Sequence, residues 1–206
     1  MKCKKFLALV MSAVLSVSML TACGGGSSGV SGSVSNSQVN SLLADAEIQV
    51  DSDSSLNVAV RNAAKKVVET GSPNSFANSV ATEMRWRPQD ILGNLLSQLL
   101  NGLIVGPNVT FGLTSYIEED RLATNQGSGS LVGQVGSNAG YVRDMAPINT
   151  PEKYAASLVL AVDNVVGKLT DLTNGAIRTT YSVSGTKAKT ADGTVYWVFA
   201  AQITIA

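Results

Sequence analysis

Histidine is absent from all 206 residues of the chain. Catalysis by a Ser–His–Asp or Cys–His arrangement therefore lacks its general base, and zinc sites built on imidazole ligands are excluded. A histidine-based pH switch is excluded as well. Any catalysis would have to depend on carboxylates, lysine, tyrosine or a serine–lysine pair, which is a small set of reactive groups.

Cysteine and net charge are also scarce. The two cysteines are Cys3 and Cys23, so the long remainder of the chain has no disulfide, and its stability must come from a hydrophobic core. Hydrophobic residues make up 45% of the chain, which makes such a core feasible. The formal net charge is +0. This balance argues against a nucleic-acid partner and against a polybasic membrane patch.

The first residues have the order of an export signal. Lys2, Lys4 and Lys5 precede an apolar stretch that ends at Leu20. This stretch has about 15 residues, whereas a membrane-spanning helix needs roughly 20. The sequence therefore predicts a removable signal peptide rather than a transmembrane anchor.

The segment Leu20-Thr21-Ala22-Cys23 resembles the lipobox of bacterial lipoproteins. The resemblance implies that residues 1–22 are cut off and that the Cys23 thiol carries a diacylglyceryl group. It also implies a membrane-anchored protein on the extracytoplasmic side of the cell envelope. The alternative is an ordinary secretory signal in which Cys23 is incidental.

The segment after Cys23 is rich in glycine and serine, reading GGGSSGVSGSVSNS over residues 24–37. With so few apolar side chains it is expected to stay disordered. We predict that residues 23–53 form the lipidated cysteine and a flexible tether, with Leu42-Leu43 starting an element in between. Residues 54–206 then form a single domain, which the tether lifts off the membrane.

Helical patterns occupy three parts of the predicted domain. Ser54 or Ser55 is expected to cap a helix that runs to about Glu69 and stops at the segment 71–74. A short helix from Ser75 and a leucine-rich helix from Pro88 follow. The clearest helix start is Thr150-Pro151-Glu152, where a capping threonine precedes a proline and an acidic residue.

Strand patterns occupy residues 109–117, 177–183 and 195–205, where apolar and polar residues alternate. Asp192-Gly193 is typical of a hairpin turn between the last two strands. We expect Trp197 and Phe199 to lie at the centre of the core. The sequence therefore predicts an α+β fold, with helices packed on a small, mostly antiparallel sheet that ends in a C-terminal β-hairpin.

Two stretches resemble the CAP superfamily of secreted domains. Residues 39–71 are similar to that family's opening helix, loop and alanine-rich helix, and DGTVYWVFAAQIT at residues 192–204 is similar to its closing strand. The chain departs from the family by lacking its two cavity histidines and its Gly-Glu-Asn signature. No functional residue is therefore carried over, and no metal or cofactor is expected.

Five short segments are candidates for chemistry, and each has a simpler structural interpretation. Glu118-Glu119-Asp120 offers oxygen ligands for a cation but is more typical of a solvated turn. Ser184 and Lys187 have the residue types of a nucleophile pair, but the lysines there favour a protected sheet edge. Arg85-Trp86-Arg87 has the composition of a stacking site, but a helix junction with Trp86 partly buried is favoured. The remaining two segments are the glycine-rich Gly133-Gln134-Val135-Gly136 and the run Gly140-Tyr141-Val142-Arg143-Asp144-Met145.

The sequence as a whole favours a lipid-anchored envelope protein with a non-catalytic binding or structural role. The membrane is its expected partner, through the lipid on Cys23. Two alternatives remain open, both with a divergent CAP-like fold. One is an enzyme that acts through carboxylates, and the other is a carrier of apolar ligands with a cavity lined by Leu95, Leu99 and Val162.

Overall fold

A computed structural model of the chain describes residues 29–87, 109–124, 147–172 and 178–205. The strands in these ranges are β1 (Val30–Ser31), β2 (Val50–Asp51), β3 (Val109–Glu118), β4 (Thr179–Lys189) and β5 (Val195–Ile205). The α-helices are α1 (Asn36–Leu43), α2 (Ser54–Thr70), α3 (Phe76–Glu83), α4 (Glu119–Ala123) and α5 (Pro151–Leu172). Short 3-10 turns at Ala44–Ala46 and Pro73–Ser75 precede β2 and α3.

All five strands belong to one sheet, with β5 at its centre. β5 pairs antiparallel with β3 on one side and with β4 on the other, so that Phe199 lies between Ser115 and Gly185. β1 and β2 both pair with the outer edge of β4, β1 antiparallel and β2 parallel. The predicted fold class is therefore confirmed, since helices pack on a small, mostly antiparallel sheet whose last two strands form a hairpin.

Helices cover both faces of the sheet. Alternate residues of β5 point to opposite sides, with Trp197 and Phe199 in the core beneath α1 and α5. Val198 and Ala200 lie in a second core beneath α2 and α3. The domain thus has three layers, and each face of the sheet buries its own apolar cluster.

Aromatic stacking marks the centre of the first core. The Phe199 ring stacks on Tyr154 of α5, with centroids 4.6 Å apart, and on Trp197, with centroids 5.9 Å apart. Phe199 is 0% exposed. The prediction that Trp197 and Phe199 lie at the core centre is confirmed. Helix α5 begins as expected, because the Lys153 backbone N–H donates to Thr150 Oγ1 at 3.3 Å.

The second core explains a glycine within β3. The ring of Trp86 lies against Gly112, where an added Cβ would come within 2.2 Å of it. The absence of a side chain at Gly112 therefore lets the Trp86 ring approach β3 closely. Trp86 is partly buried and packed against the core. The partial burial agrees with the prediction for Trp86, whereas the helix from Pro88 on the other side of the expected junction lies outside the described residues.

The cap of α2 differs from the prediction by one residue. Asp53, not Ser54 or Ser55, is the N-cap, and its Oδ1 accepts hydrogen bonds from the backbone N–H groups of Ser55 and Leu56. Asp53 Oδ2 also accepts a hydrogen bond from Gln202 Nε2 at 3.2 Å. Because a carboxylate has two oxygens, Asp53 can cap α2 with one and bind Gln202 of β5 with the other. A serine has a single hydroxyl oxygen for both roles.

Replacing Asp53 with alanine is expected to lower the free energy of unfolding by about 1–2 kcal/mol, because the helix cap and the bond to Gln202 are lost together. Urea denaturation followed by circular dichroism measures this loss. Asp51→Ala is the matched control, since Asp51 is exposed and does not cap the helix. Equal losses in the two variants would contradict the assigned role of Asp53.

The predicted tether is wrong over residues 30–53. This segment contains β1, α1 and β2, and it contributes the buried side chains Val39, Leu43 and Val50 to the first core. The prediction failed because each of these elements is short and buries at most two residues, so that the serine-rich composition hides them. The fold therefore includes the chain from at least Gly29 onward, and not only from residue 54.

Several predictions lie outside the described residues. They are the signal peptide and Cys23, the leucine-rich helix from Pro88 and the glycine-rich segment 133–136. Among the helices that the four described ranges contain, none is both long and apolar enough to cross a membrane.

Candidate functional site

The outer edge of β4 is interrupted between its two short partner strands. β2 pairs at Tyr181 and Ser182, and β1 pairs at Lys187 and Ala188. In the gap, the loop that follows β1 crosses the edge, and the Val34 N–H donates to the Gly185 carbonyl at 3.0 Å.

A second contact fixes the same loop. The hydroxyl of Thr186 donates to the Gly32 carbonyl at 2.8 Å. Thr186 is buried and lies on β4, so it ties the loop to the sheet rather than to solvent. The loop is thus held at two points one residue apart on β4.

The interruption forms a cleft of about 310 Å³ between the loop, the first turns of α2 and β4. Its size is at the small end of the range for ligand-binding pockets. The lining residues come from four parts of the fold: Gly32, Ser33, Val34, Asn36, Ser52, Asn57, Arg61, Ser184, Gly185 and Thr186. Nine of these ten are polar or glycine, so the cleft suits a polar ligand.

Several polar side chains in the cleft have no hydrogen-bond partner within the described ranges. Arg61 and Asn57 lie about one turn apart on α2, and neither side chain is bonded to a described residue. The Ser184 hydroxyl has no partner there either, although Ser184 is only 7% exposed. Within the described ranges, the fully buried side-chain atoms without a partner are Trp86 Nε1 and Gln202 Oε1, so the Ser184 hydroxyl is open to the cleft, where a ligand can reach it.

The cleft favours negative charge. Among the residues that the structure describes, Arg61 is the one charged residue in the lining, and no aspartate or glutamate is found there. Asp51 and Asp53 flank Ser52, but the Asp53 carboxylate already accepts bonds from two backbone N–H groups and from Gln202. Arginine binds carboxylates and phosphates with two parallel hydrogen bonds. The lining offers hydrogen-bond donors but no general base, so it supports binding better than proton transfer.

The acidic run is not assembled into a cation site. Glu118 pairs with Arg121 at 3.3 Å, Glu119 pairs with Lys187, and the Asp120 carboxylate accepts from the Arg121 N–H. Each carboxylate thus has its own partner. In the parts of the chain that the structure describes, no three histidine, cysteine or acidic residues are grouped to hold a metal ion.

Ser184 and Lys187 are not brought together as a nucleophile pair. They are three residues apart on β4, so they point to opposite faces of the sheet. The Lys187 ammonium lies 5.3 Å from the centroid of the Trp197 ring and pairs with Glu119. The prediction of an exposed, lysine-protected edge is also wrong, because β1 covers this part of β4.

Tyr181 makes a buried hydrogen bond on the first face of the sheet. Its hydroxyl donates to Asp163 Oδ1 of α5 at 2.5 Å. Burial, and then the bond to Asp163, raise the pKa of Tyr181 well above its usual range. This bond joins α5 to β4 and lies apart from the cleft.

The raised pKa of Tyr181 predicts a loss of stability at alkaline pH. The phenol ionises near pH 10 in the unfolded chain but stays protonated in the fold, so its contribution falls by up to about 1.4 kcal/mol for each pH unit above about 10. The stability difference between the wild-type protein and Tyr181→Phe should therefore shrink between about pH 9 and pH 11.

Urea denaturation at the two pH values measures this difference. Tyr116→Phe, which removes an exposed phenol from β3, is the matched control. A difference that stays constant with pH for Tyr181→Phe, or that shrinks equally for the control, would contradict the prediction.

The remaining candidates contribute nothing to the cleft that the structure describes. Val162 is buried in the first core, whereas Leu95 and Leu99 lie outside the described residues, as do the segments 133–136 and 140–145. Sequence reasoning missed Arg61, Asn57 and Asn36, because they belong to no motif. No sequence signal marks Ser184 and Thr186 either, because β4 contains polar residues along its whole length.

Comparisons with known proteins do not identify a relative. The chain matches no protein-family model, no curated protein and no solved structure. The resemblances to bacterial lipoproteins and to the CAP superfamily therefore stay predictions, and the function has to be argued from the cleft and the sequence.

Proposed function

We propose that this protein is a lipid-anchored binding module of the bacterial cell envelope. Cys23 carries the lipid, and the folded domain binds a small anionic ligand in the cleft at the edge of β4. The proposal joins two independent parts, the lipobox-like segment before Cys23 and the chemistry of the cleft. Each part has its own test.

One observation supports the binding role above all. Arg61 and the Ser184 hydroxyl line the same cleft, and neither has a partner within the described ranges. Arg61 is exposed and the Ser184 hydroxyl opens into the cleft, so both groups are available to hydrogen-bond an anionic ligand. A positive lining without an acidic residue selects an anion.

Mass spectrometry of the protein isolated from cell envelopes tests the anchor. The chain is expected to begin at Cys23 and to carry a diacylglyceryl group there, because several acyl chains are needed for stable anchoring. Cys23→Ser is expected to lose the lipid and to leave the membrane fraction. An unmodified Cys23 in the wild-type protein, or a retained residue 1–22 segment, would refute lipid anchoring.

Titration with inorganic phosphate tests the cleft in the unlipidated Cys23→Ser chain without residues 1–22. Backbone amide resonances of Gly32 and Gly185 are expected to shift on binding, since both residues line the cleft. Arg61→Gln should weaken binding by about tenfold or more, because a charge-assisted hydrogen bond is lost.

Arg178→Gln is the matched control for Arg61→Gln. Arg178 is exposed and directly precedes β4, at the end of the strand far from the loop that lines the cleft. The Arg178→Gln variant has the same change in charge as Arg61→Gln and should leave phosphate binding unchanged. Equal effects of the two variants, or no phosphate binding at all, would refute the anion site.

A further inference from the structure

The chain between the anchoring residue and the fold is short. Cys23 is six residues before Gly29, and six residues span at most about 20 Å even when fully extended. Gly29 is already fixed to the sheet, because its carbonyl accepts a hydrogen bond from the Lys189 N–H at 2.6 Å. A lipid on Cys23 would therefore hold this end of the sheet close to the bilayer instead of lifting the domain away from it.

The cleft is at the same end of the domain. Gly32, which lines it, follows Gly29 by three residues and so lies within about 10 Å of it along the chain. Helix α2 leads from the cleft toward Gly29, since Arg61 lines the cleft and Val68 lies beside Gly29. Gly29, β1 and the cleft thus follow one another along a single edge.

Basic side chains accompany this edge. Lys65 lies one turn after Arg61 on α2, and Lys66 and Lys189 are exposed near Gly29. The nearby acids are Glu69 at the end of α2, Asp192 in the hairpin loop, whose carboxylate is engaged by Thr190 and Thr194, and Asp51 and Asp53 on either side of Ser52. Basic and acidic groups are therefore equal in number along this edge, and what favours an anion there is the position of Arg61 in the lining of the cleft.

We propose that the anion in the cleft is the phosphate ester of an anionic membrane lipid headgroup, with Arg61 as its principal ligand. The inference rests on the proposed anion site and adds which molecule supplies the anion. The lipid on Cys23 brings the cleft to the membrane surface, where lysine and arginine side chains are attracted to anionic lipids. A glycerophosphate group is small enough for a cleft of about 310 Å³.

Vesicle binding separates the membrane source from a free phosphate ester. The unlipidated Cys23→Ser chain without residues 1–22 is mixed with vesicles of phosphatidylcholine alone or with added phosphatidylglycerol, and bound protein is measured by sedimentation. In parallel, sn-glycerol 3-phosphate is titrated into the same protein in solution. Both arms use Arg61→Gln and the control Arg178→Gln, which change the charge equally.

The expected result is binding to the phosphatidylglycerol vesicles, little binding to phosphatidylcholine, and competition by sn-glycerol 3-phosphate. Arg61→Gln should lower vesicle affinity by about tenfold or more, while Arg178→Gln should leave it unchanged. Lys65→Gln should cause a smaller, salt-sensitive loss, because Lys65 contributes attraction without lining the cleft.

Three other outcomes overturn the inference in distinguishable ways. Arg61-dependent binding of sn-glycerol 3-phosphate without vesicle binding would leave the anion site standing and refute the lipid as its source. Vesicle binding that Arg61→Gln and Arg178→Gln weaken equally would indicate non-specific surface attraction. Failure of both arms would refute the inference and the proposed anion site together.

Discussion

Phe199→Ala is expected to lower the free energy of unfolding by about 3–5 kcal/mol, which is a large part of the stability of a domain of this size. Phe199 is fully buried on the central strand and stacks on both Tyr154 and Trp197. Truncation removes these contacts and leaves a cavity that the paired strands on either side prevent from closing.

Urea denaturation gives the loss directly, and two further variants make it specific. Phe199→Leu keeps much of the volume and should cost far less than alanine, because the cavity is smaller. Val58→Ala removes a side chain that is 56% exposed and should change stability by less than about 0.5 kcal/mol. A loss below about 1 kcal/mol for Phe199→Ala would mean that the stacked rings do not form the centre of the core.

Gly185→Ala is expected to have the second largest effect, about 1–3 kcal/mol of lost stability together with weakened ligand binding. A Cβ at this position would lie 2.6 Å from Phe199 Cδ1 and 2.7 Å from Val34 Cγ2. Phe199 is fully buried and has little room to move. The strain is therefore expected to displace Val34 and, with it, the loop that lines the cleft.

A double-mutant cycle with Val34→Ala tests this coupling. Truncation of Val34 removes one of the two clashes, so the double variant should be more stable than the sum of the single losses predicts. Phosphate titration of Gly185→Ala should show weaker binding, since the Gly185 carbonyl positions the loop through the Val34 N–H. Additive losses with unchanged phosphate binding would contradict the coupling.

The elements that the sequence predicts correctly are those whose signals are local. The alternation of Trp197 and Phe199 along β5, the Thr150 cap before α5 and the stop at Gly71 all depend on neighbouring residues. Each is a short-range rule of helix or strand geometry. The C-terminal hairpin was predictable for the same reason, because Asp192-Gly193 lies between two alternating strands.

The elements that the sequence does not predict are strands whose pairing partner lies far away along the chain. β1 and β2 have two residues each, too few for any periodic pattern, and they form strands only because β4 offers an edge with which to pair. Residues 30–53 therefore resemble a linker in composition. The prediction that the lysines of β4 protect an exposed edge was wrong for a related reason. The sequence of β4 does not reveal which strands pair with it.

The cleft could not be predicted because its residues meet only in the folded chain. Arg61 lies on the polar side of α2, where a basic residue is ordinary and does not by itself indicate a binding site. Ser184 lies 123 positions later on β4. Their proximity results from β2, which places the start of α2 beside β4. The sequence shows that these hydrogen-bond donors are present, but it does not show that they lie close together in the fold.

The two short strands at the outer edge of β4 also bear on how the protein avoids self-association. An uncovered strand of this length would present a row of free backbone donors and acceptors to another chain. β1 and β2 occupy opposite ends of the row, and the loop between β1 and α1 occupies its middle through the Val34 N–H. Within the described ranges, no stretch of that edge is left long enough to template a second molecule, so a high local concentration of the protein need not lead to aggregation there.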